Sequence, residues 1–568
     1  MRGVTEEMTA RTSSEVCQDR ARRAALAFML MVLATFSAAS QQRRAQSPID
    51  EDALRAHIKF LSDDLLEGRG TGARGGEIAA QYLAAQLAAM GLKGAGPNGS
   101  FFQQVSLVGV KADPDTKLNL SSNKGKESLK FGDDYVAFTG AQTDDLRIDA
   151  DLVFVGYGID APEQRWNDYK GQPADYRNKI LVMLVNDPPA TKAEPDLFGG
   201  RRLTYKGRWT YKYEEGARRG AAGVILIHTD ESAGYPWSVV RTSNGSWRFD
   251  IARESDDSTP FLGIRSWITD DGARRMMRLA GQDLDELRQR AATRDFQPVK
   301  LNVRGAIHLK SEVKRVQAPN VVGILSGRDP RLRDQYVVFS AHWDHLGVGA
   351  PDKTGDTIYN GAQDNATGCA SVLGIADALR KLPLAQRPRR SILFLFPTAE
   401  EQGLIGAEWY SRRPLVPPEK TAADVNLDSM NILGVTRDFI PLGAEHSTLQ
   451  AVVDAVARAR GLRVSPDARP EQGSFFRSDH FPFAKIGVPS ISLKEGSDFV
   501  GRPQGWGAEQ FKAYNTAHYH QPSDEYSDSW DFRGMIQETE IAMDIGLRIA
   551  NAEAMPRYLA NDEFARKP

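Results

Sequence analysis

The chain has 568 residues, of which 26% are charged and 41% apolar, and a formal net charge of -2. This composition is globular and too long for one core, so two or three domains are expected, and a disordered or membrane-embedded chain is excluded. The nearly balanced charge, without a basic stripe, leaves no electrostatic footprint for nucleic acid.

Arg20, Arg22 and Arg23 precede an apolar run from Ala24 to Phe36 and the small residues Ser37, Ala38, Ala39 and Ser40. The pattern predicts a cleaved export signal over residues 1–40, because the run falls short of the about 20 apolar residues that span a bilayer. A signal anchor is the alternative. The mature protein is then expected in the periplasm or outside the cell, without stable membrane insertion. Cys17 would leave with the signal and Cys369 would remain alone, so no intrachain disulfide is available.

Leu54, Ile58, Leu61 and Leu65 recur at helical spacing, and Ile78, Tyr82 and Met90 begin a second helix ended by Gly91. Between them, GTGARG (Gly70 to Gly75) has the letters of a dinucleotide fingerprint. That fingerprint follows a strand, whereas this run follows a helix, so a glycine-rich connection is expected instead. From about Leu152 to Ala306, the strands LVFVGYGI, ILVMLV and VILI are separated by polar loops. This texture predicts an inserted domain acting as lid, spacer or partner surface, with its one histidine, His228, a strand-end or core residue. From Asn320 onward, the strands NVVGIL, YVVFSA, SILFLF, VNLDS and PSISL alternate with helical stretches such as GCASVLGIADALRKL and LQAVVDAVARAR. Such alternation predicts an α/β fold with a mostly parallel sheet flanked by helices, which binds ligands beyond the carboxyl ends of its strands.

Chemistry-bearing residues collect at those ends. His342 follows YVVFSA in HWDH, Asp364 lies in NGAQDNATG, Glu400 and Glu401 follow SILFLFPTA, Asp428 ends NLD, and His520 sits in YHQPSDEY. Zinc takes imidazole nitrogen and carboxylate oxygen, and two ions sharing a carboxylate can clamp both the attacking and the developing oxygen. Paired acids straight after a buried strand are awkward to solvate, and a metal removes the repulsion between them.

These five motifs resemble, in order and separation, the co-catalytic di-zinc aminopeptidases, a family that includes the glutamate carboxypeptidase II-like enzymes. EGRGTGARGG fits the same family, and residues 150–305 resemble the protease-associated domain that many members carry as an insertion. The resemblance implies a zinc-peptidase αβα sandwich with a first segment over 48–140, a β-rich insertion over 150–305, a catalytic domain over 306–557 and a tail over 558–568. It implies two zinc ions: His342 and Asp428 on one, Glu401 and His520 on the other, Asp364 bridging. Asp344 would orient the His342 imidazole. Glu400 would act as general base toward a metal-bridging water, and Tyr519 would donate to the tetrahedral adduct. Gln363 departs from a frequent aspartate without touching a ligand position, and GAEWY replaces a frequent Gly-Ser start. His345 and His518 read as structural, and Asp479 and His480 as pocket wall.

The expected activity is that of a zinc-dependent aminopeptidase acting on peptides. The alternative is a carboxypeptidase or dipeptidase that reads a terminal carboxylate through arginines, with Arg469, Arg477 and Arg502 in the late region. Glutaminyl cyclisation on one zinc, or a metal-free receptor or scaffold, would predict missing ligands, and none is missing. No G-x-S-x-G elbow, H-E-x-x-H helix or P-loop is present. The same donors also suit cobalt or manganese.

Overall fold

A computed structural model describes residues 47–254 and 257–566, and everything below concerns the unit Ile49–Pro568. The expected export signal, with Cys17, lies outside the described residues.

The seven longer strands of the catalytic sheet are β1 (Phe102–Ala112), β2 (Val299–Leu325), β3 (Tyr336–Ser340), β4 (Ser391–Phe396), β5 (Thr421–Leu427), β6 (Asp438–Leu442) and β7 (Ser490–Glu495), and the short strands Lys93–Gly94, Arg248–Ile251 and Arg463–Val464 pair at its margins. Across the sheet the seven run β1, β2, β4, β3, β5, β7, β6. The centre is parallel, with β3 between β4 and β5, and β7 beyond β5. The outer pairs β1–β2, β2–β4 and β6–β7 are antiparallel. The central strands are buried along their length, as a sheet covered on both faces requires.

Side chains alternate between two cores, following the twofold period of a strand. Val337, Phe339, Ile392, Phe394 and Phe396 point to one core, shared with α1 (Glu51–Leu61), α2 (Arg74–Ala89), α3 (Thr367–Lys381) and α8 (Phe532–Asn551). The four helices between α3 and α8 are α4 (Ile405–Arg412), α5 (Leu449–Arg460), α6 (His480–Lys485) and α7 (Trp506–Ala517). Val338, Leu393 and Leu395 point to the other core, with Tyr410 of α4 and Phe483 of α6. The result is helix on sheet on helix, an α/β fold.

The first helix stops at Leu61, four residues before the end of its apolar spacing. Asp63 accepts the Leu65 N–H and begins a separate turn, leaving Leu65 76% exposed and Leu66 buried. The glycine run connects this turn to α2. A Cβ on Gly75 would lie 1.7 Å from the Leu66 carbonyl oxygen, so close backbone packing accounts for the glycine there.

A second sheet occupies the insertion. Asp145–Phe154, Ile180–Leu184, Gly223–Ile227 and Ile264–Ile268 run parallel, with Tyr135–Thr139 antiparallel at one side. The insertion is wider than 150–305. Lys117–Ser122 pairs with this sheet, and its core draws on residues from Ala112 to Leu309, so residues 117–139 belong here and not to a first peptidase segment. The long strand β2 joins the two parts: residues 299–310 pair within the second sheet, and 311–325 pair within the catalytic one. Alternation alone does not show where one continuous strand changes sheets.

Candidate metal centre

His342 leaves β3 two residues beyond its end, Asp428 directly follows β5, and Glu400 and Glu401 stand four and five residues past β4. Asp364 comes from the turn before α3, and His520 from the segment after α7. The chain makes tight approaches to bring them together. Ala399, Ser429 and His520 adopt left-handed φ angles of 54°, 59° and 57°, a region unfavourable for side chains with a Cβ. Gly361 has φ 58°, and a Cβ on it would lie 2.5 Å from the His345 ring.

The six residues converge on one buried cluster. His342 Nε2 lies 3.4 Å from Asp364, 3.7 Å from Asp428 and 3.9 Å from Glu400. His520 Nε2 lies 3.1 Å from Glu401 and 3.5 Å from Asp364. Asp364 therefore stands between the two imidazoles, one oxygen toward each. His345, set aside as structural in the sequence, enters the same cluster with Nδ1 2.6 Å from Glu401. Its spacing in HWDH was visible, but nothing in the sequence said that the loop turns back.

Asp344 is placed differently from the role the resemblance implies. His342 Nδ1 donates to the Asp344 backbone carbonyl at 3.1 Å, while the carboxylate is 3.9 Å away. That carboxylate accepts the Glu400 N–H at 3.0 Å and the Thr71 hydroxyl at 3.2 Å, and so fixes the loop carrying the paired glutamates. Asp524 accepts the Gln363 and Asp364 N–H groups at 3.0 and 3.1 Å. Arg69, within EGRG, donates to the carbonyls of Trp343, Leu61, Asn360 and Gly361, tying the His342 and Asp364 loops together. Sequence reasoning missed Arg69 and Asp524 because backbone carbonyls and N–H groups carry no sequence signal. Tyr519 stacks on His520 with ring centroids 3.9 Å apart. Asp479 and His480 are buried behind the cluster, His480 edge-on to Phe475, and His518 is exposed against Ser523.

The electrostatics ask for a cation. Burial opposes ionisation, yet the facing carboxylates hold His342 and His520 well above the usual imidazole range. Burial first, then Glu401, Asp479 and Asp428, push the Glu400 carboxyl well up, and burial pushes Asp344 to about 6. Nε2 of His345, Nδ1 of His520 and both carboxylate oxygens of Asp479 are buried without a hydrogen-bond partner, and His345 Nδ1 and Glu401 Oε1 face each other at 2.6 Å. Unanswered donors of this type, in a buried cluster, suit a metal with nitrogen and oxygen ligands. His342–Asp364–Asp428 and His345–Asp364–Glu401 each bring three ligand atoms within 4.8 Å of one another.

Residues 320–543 match the profile of peptidase family M28. Leupeptin-inactivating enzyme 1 of Streptomyces exfoliatus is 27% identical over 209 residues, 36% of this chain. Aminopeptidase NAALADL1 of Mus musculus is 33% identical over 135 residues, 23% of this chain. The chain spans 42% and 16% of the lengths of these two relatives. The solved aminopeptidase from Aneurinibacillus sp. strain AM-1 is 18% identical with a TM-score of 0.52, over 92% of this chain and 98% of that one, which shows a shared fold.

Proposed function

Because residues 320–543 belong to peptidase family M28, we propose that the chain is a zinc-dependent exopeptidase that hydrolyses the amino-terminal bond of peptides. The observation that carries this reading is the buried cluster of imidazoles and carboxylates with unanswered donor atoms. His342 and Asp428 would hold one of two zinc ions, Glu401 and His520 the other, and Asp364 both. His345 stands close enough to Glu401 to compete for, or complete, the second position. Zinc, when bound, supplies a Lewis acid that lowers the pKa of water and polarises a carbonyl.

The remaining steps belong to the chain's own residues. Glu400 accepts the proton of the attacking water and passes it to the leaving amine, and Asp344 holds the Glu400 backbone in place. Burial keeps the Tyr519 phenol protonated, so it is fit to donate to the developing oxyanion. The reading includes export through residues 1–40. No helix among the described residues is long and apolar enough to cross a membrane.

The test is hydrolysis of amino-terminally free and blocked peptides, with and without chelator, and with Glu400→Gln alongside. Amino-terminal residues should be released from free peptides only. Chelator should abolish the release, and Glu400→Gln should slow it about 10²–10⁴-fold. Release from the carboxyl end of blocked peptides would overturn the direction of attack, and zinc binding without turnover would overturn the activity. Cell fractionation checks export, and an uncleaved chain in the cytoplasm would exclude it.

A further inference from the structure

The paired glutamates sit on a turn that does not hold its own shape. Ala399 and Leu404, at its two ends, have left-handed φ angles of 54° and 62°, a conformation that persists only where the surroundings enforce it. The Gly403 and Leu404 N–H groups donate to the Glu400 carbonyl at 2.8 and 2.9 Å, and the Ile405 N–H donates to the Ala399 carbonyl at 3.1 Å, which leaves Gln402 at the apex. The catalytic domain grips the base of this turn. Asp344 accepts the Glu400 N–H, and Asn320 accepts the Thr398 N–H at 3.0 Å and donates to the Gly406 carbonyl at 2.9 Å.

The apex is gripped from the insertion. Its segment Arg248–Ile251 reaches the catalytic sheet and pairs antiparallel with β1, Phe249 opposite Gly109. A Cβ on Gly109 would lie 2.7 Å from the Phe249 ring, so the glycine makes room for this crossing. At the sheet margin the Phe249 N–H is answered by Gln402 Oε1, at 3.2 Å. Arg248 donates through Nη2 to the Gln402 carbonyl at 3.4 Å, while Asp250, the carboxylate of the same segment, pairs with Arg265 at 2.9 Å. Trp209, also of the insertion, comes within 3.9 Å of where a Cβ on Gly403 would stand. Insertion and catalytic domain thus meet one residue beyond Glu401.

We propose that Gln402, held by Arg248 and the Phe249 N–H, is a clamp through which the inserted domain positions the Glu400–Glu401 turn. Gln402 and Arg248 are positioning residues, and both act through the placement of Glu400. A general base works only within hydrogen-bond reach of its proton, and a displacement of about 1 Å can cost about 10²-fold in rate. The clamp is therefore read in kcat. This rests on the peptidase reading above and gives the insertion a part in the reaction beyond lid or spacer.

The zinc-saturated full chain is assayed on Leu-Gly-Gly as wild type and as three variants. Gln402→Met keeps the side-chain length and removes the acceptor, and should lower kcat by about tenfold or more with KM within about twofold. Gln402→Glu keeps the acceptor and gains a charge toward Arg248, and should recover most of that loss. Arg248→Met should lower kcat in the same sense by about threefold, as suits the longer bond. Hydrogen exchange reads the clamp without turnover. The Gly403, Leu404 and Ile405 amides should exchange about tenfold faster in Gln402→Met than in wild type while the β5 amides stay protected, which separates loosening of the turn from unfolding of the chain. Wild-type kcat in Gln402→Met, a loss confined to KM, or a Gln402→Glu as slow as Gln402→Met would overturn the clamp. Unchanged exchange in the turn, or exchange that rises equally in β5, would overturn it as well. If wild type does not hydrolyse the peptide, the peptidase reading fails, and the exchange comparison alone decides the clamp.

Discussion

Lys212 in the inserted domain and Asp364 in the metal centre are both deeply buried ionisable groups, but their surroundings are balanced in opposite ways. Around Lys212 every polar atom is answered. Its Nζ donates to the Asn186 carbonyl at 3.1 Å, Asp168 accepts from the Ile159 N–H and the Trp166 indole, and Asp187 accepts twice from Thr204. Around Asp364 carboxylates outnumber the groups that neutralise them, imidazole and carboxylate atoms lie orphaned, and three backbone positions sit at unfavourable φ. A buried charge cluster that closes on itself holds a fold, whereas one that remains open points to a ligand absent from the chain.

The contrast can be broken most forcefully at Lys212. Burial presses its ammonium down to about 7, against the pull of Asp187 and Asp168, and presses Asp168 up to about 7, against the pull of Lys212 and its own hydrogen-bond donors. Lys212→Met leaves two buried aspartates without their cation and should destabilise the inserted domain by about 3–5 kcal/mol. Denaturant unfolding followed by tryptophan fluorescence reads this, since Trp166 is bonded to Asp168. A loss under about 1 kcal/mol would mean that the backbone donors alone suffice.

Asp424 offers a smaller and pH-dependent test. It lies within β5, with Oδ1 accepting from Ser340 at 2.8 Å and Oδ2 unpartnered, and burial pushes its pKa up to about 8. The folded state therefore holds a proton that the unfolded chain, with an ordinary aspartate, releases. The associated stability is present at low pH and is lost as pH rises through about 8. Asp424→Asn should remove this slope, a difference reaching about 1.4 kcal/mol per pH unit between pH 4 and 8. Parallel stability curves for variant and wild type would show that the folded carboxyl is not held protonated.

Much of this organisation was legible in the sequence because strands buried on both faces are written as unbroken apolar runs. SILFLF announces β4, and the first polar residues after each run mark the rim where His342, Glu400, Glu401 and Asp428 stand. Local spacing could not report contacts made by backbone groups or across distant segments. Leu65 continues an apolar spacing yet faces solvent, because Asp63 caps a new turn. Arg69 looks like one more polar residue in a glycine run, although it binds four carbonyls beneath the centre. Arg208 and Arg477 lie 269 residues apart in the sequence, 477 minus 208, yet line one cavity.

The smallest expected effect addresses the open cluster itself. Asp364 faces His342 and His520, and although burial opposes its charge, the two imidazoles hold its carboxyl well below the usual range. Asp364→Asn removes the charge that the imidazoles answer and keeps the shape, so in chelator the variant should be less stable than wild type by about 1 kcal/mol. Zinc should widen the gap, because the wild type gains binding energy from an intact ligand set and the variant loses a shared ligand. Thermal unfolding of both proteins in chelator and in zinc reads all four values. Should Asp364→Asn be the more stable protein in chelator, repulsion from Glu400, Glu401 and Asp428 outweighs the two imidazoles at this position. The metal centre would then be open in its charges as well as in its orphaned atoms, and the contrast with the Lys212 cluster would be sharpened.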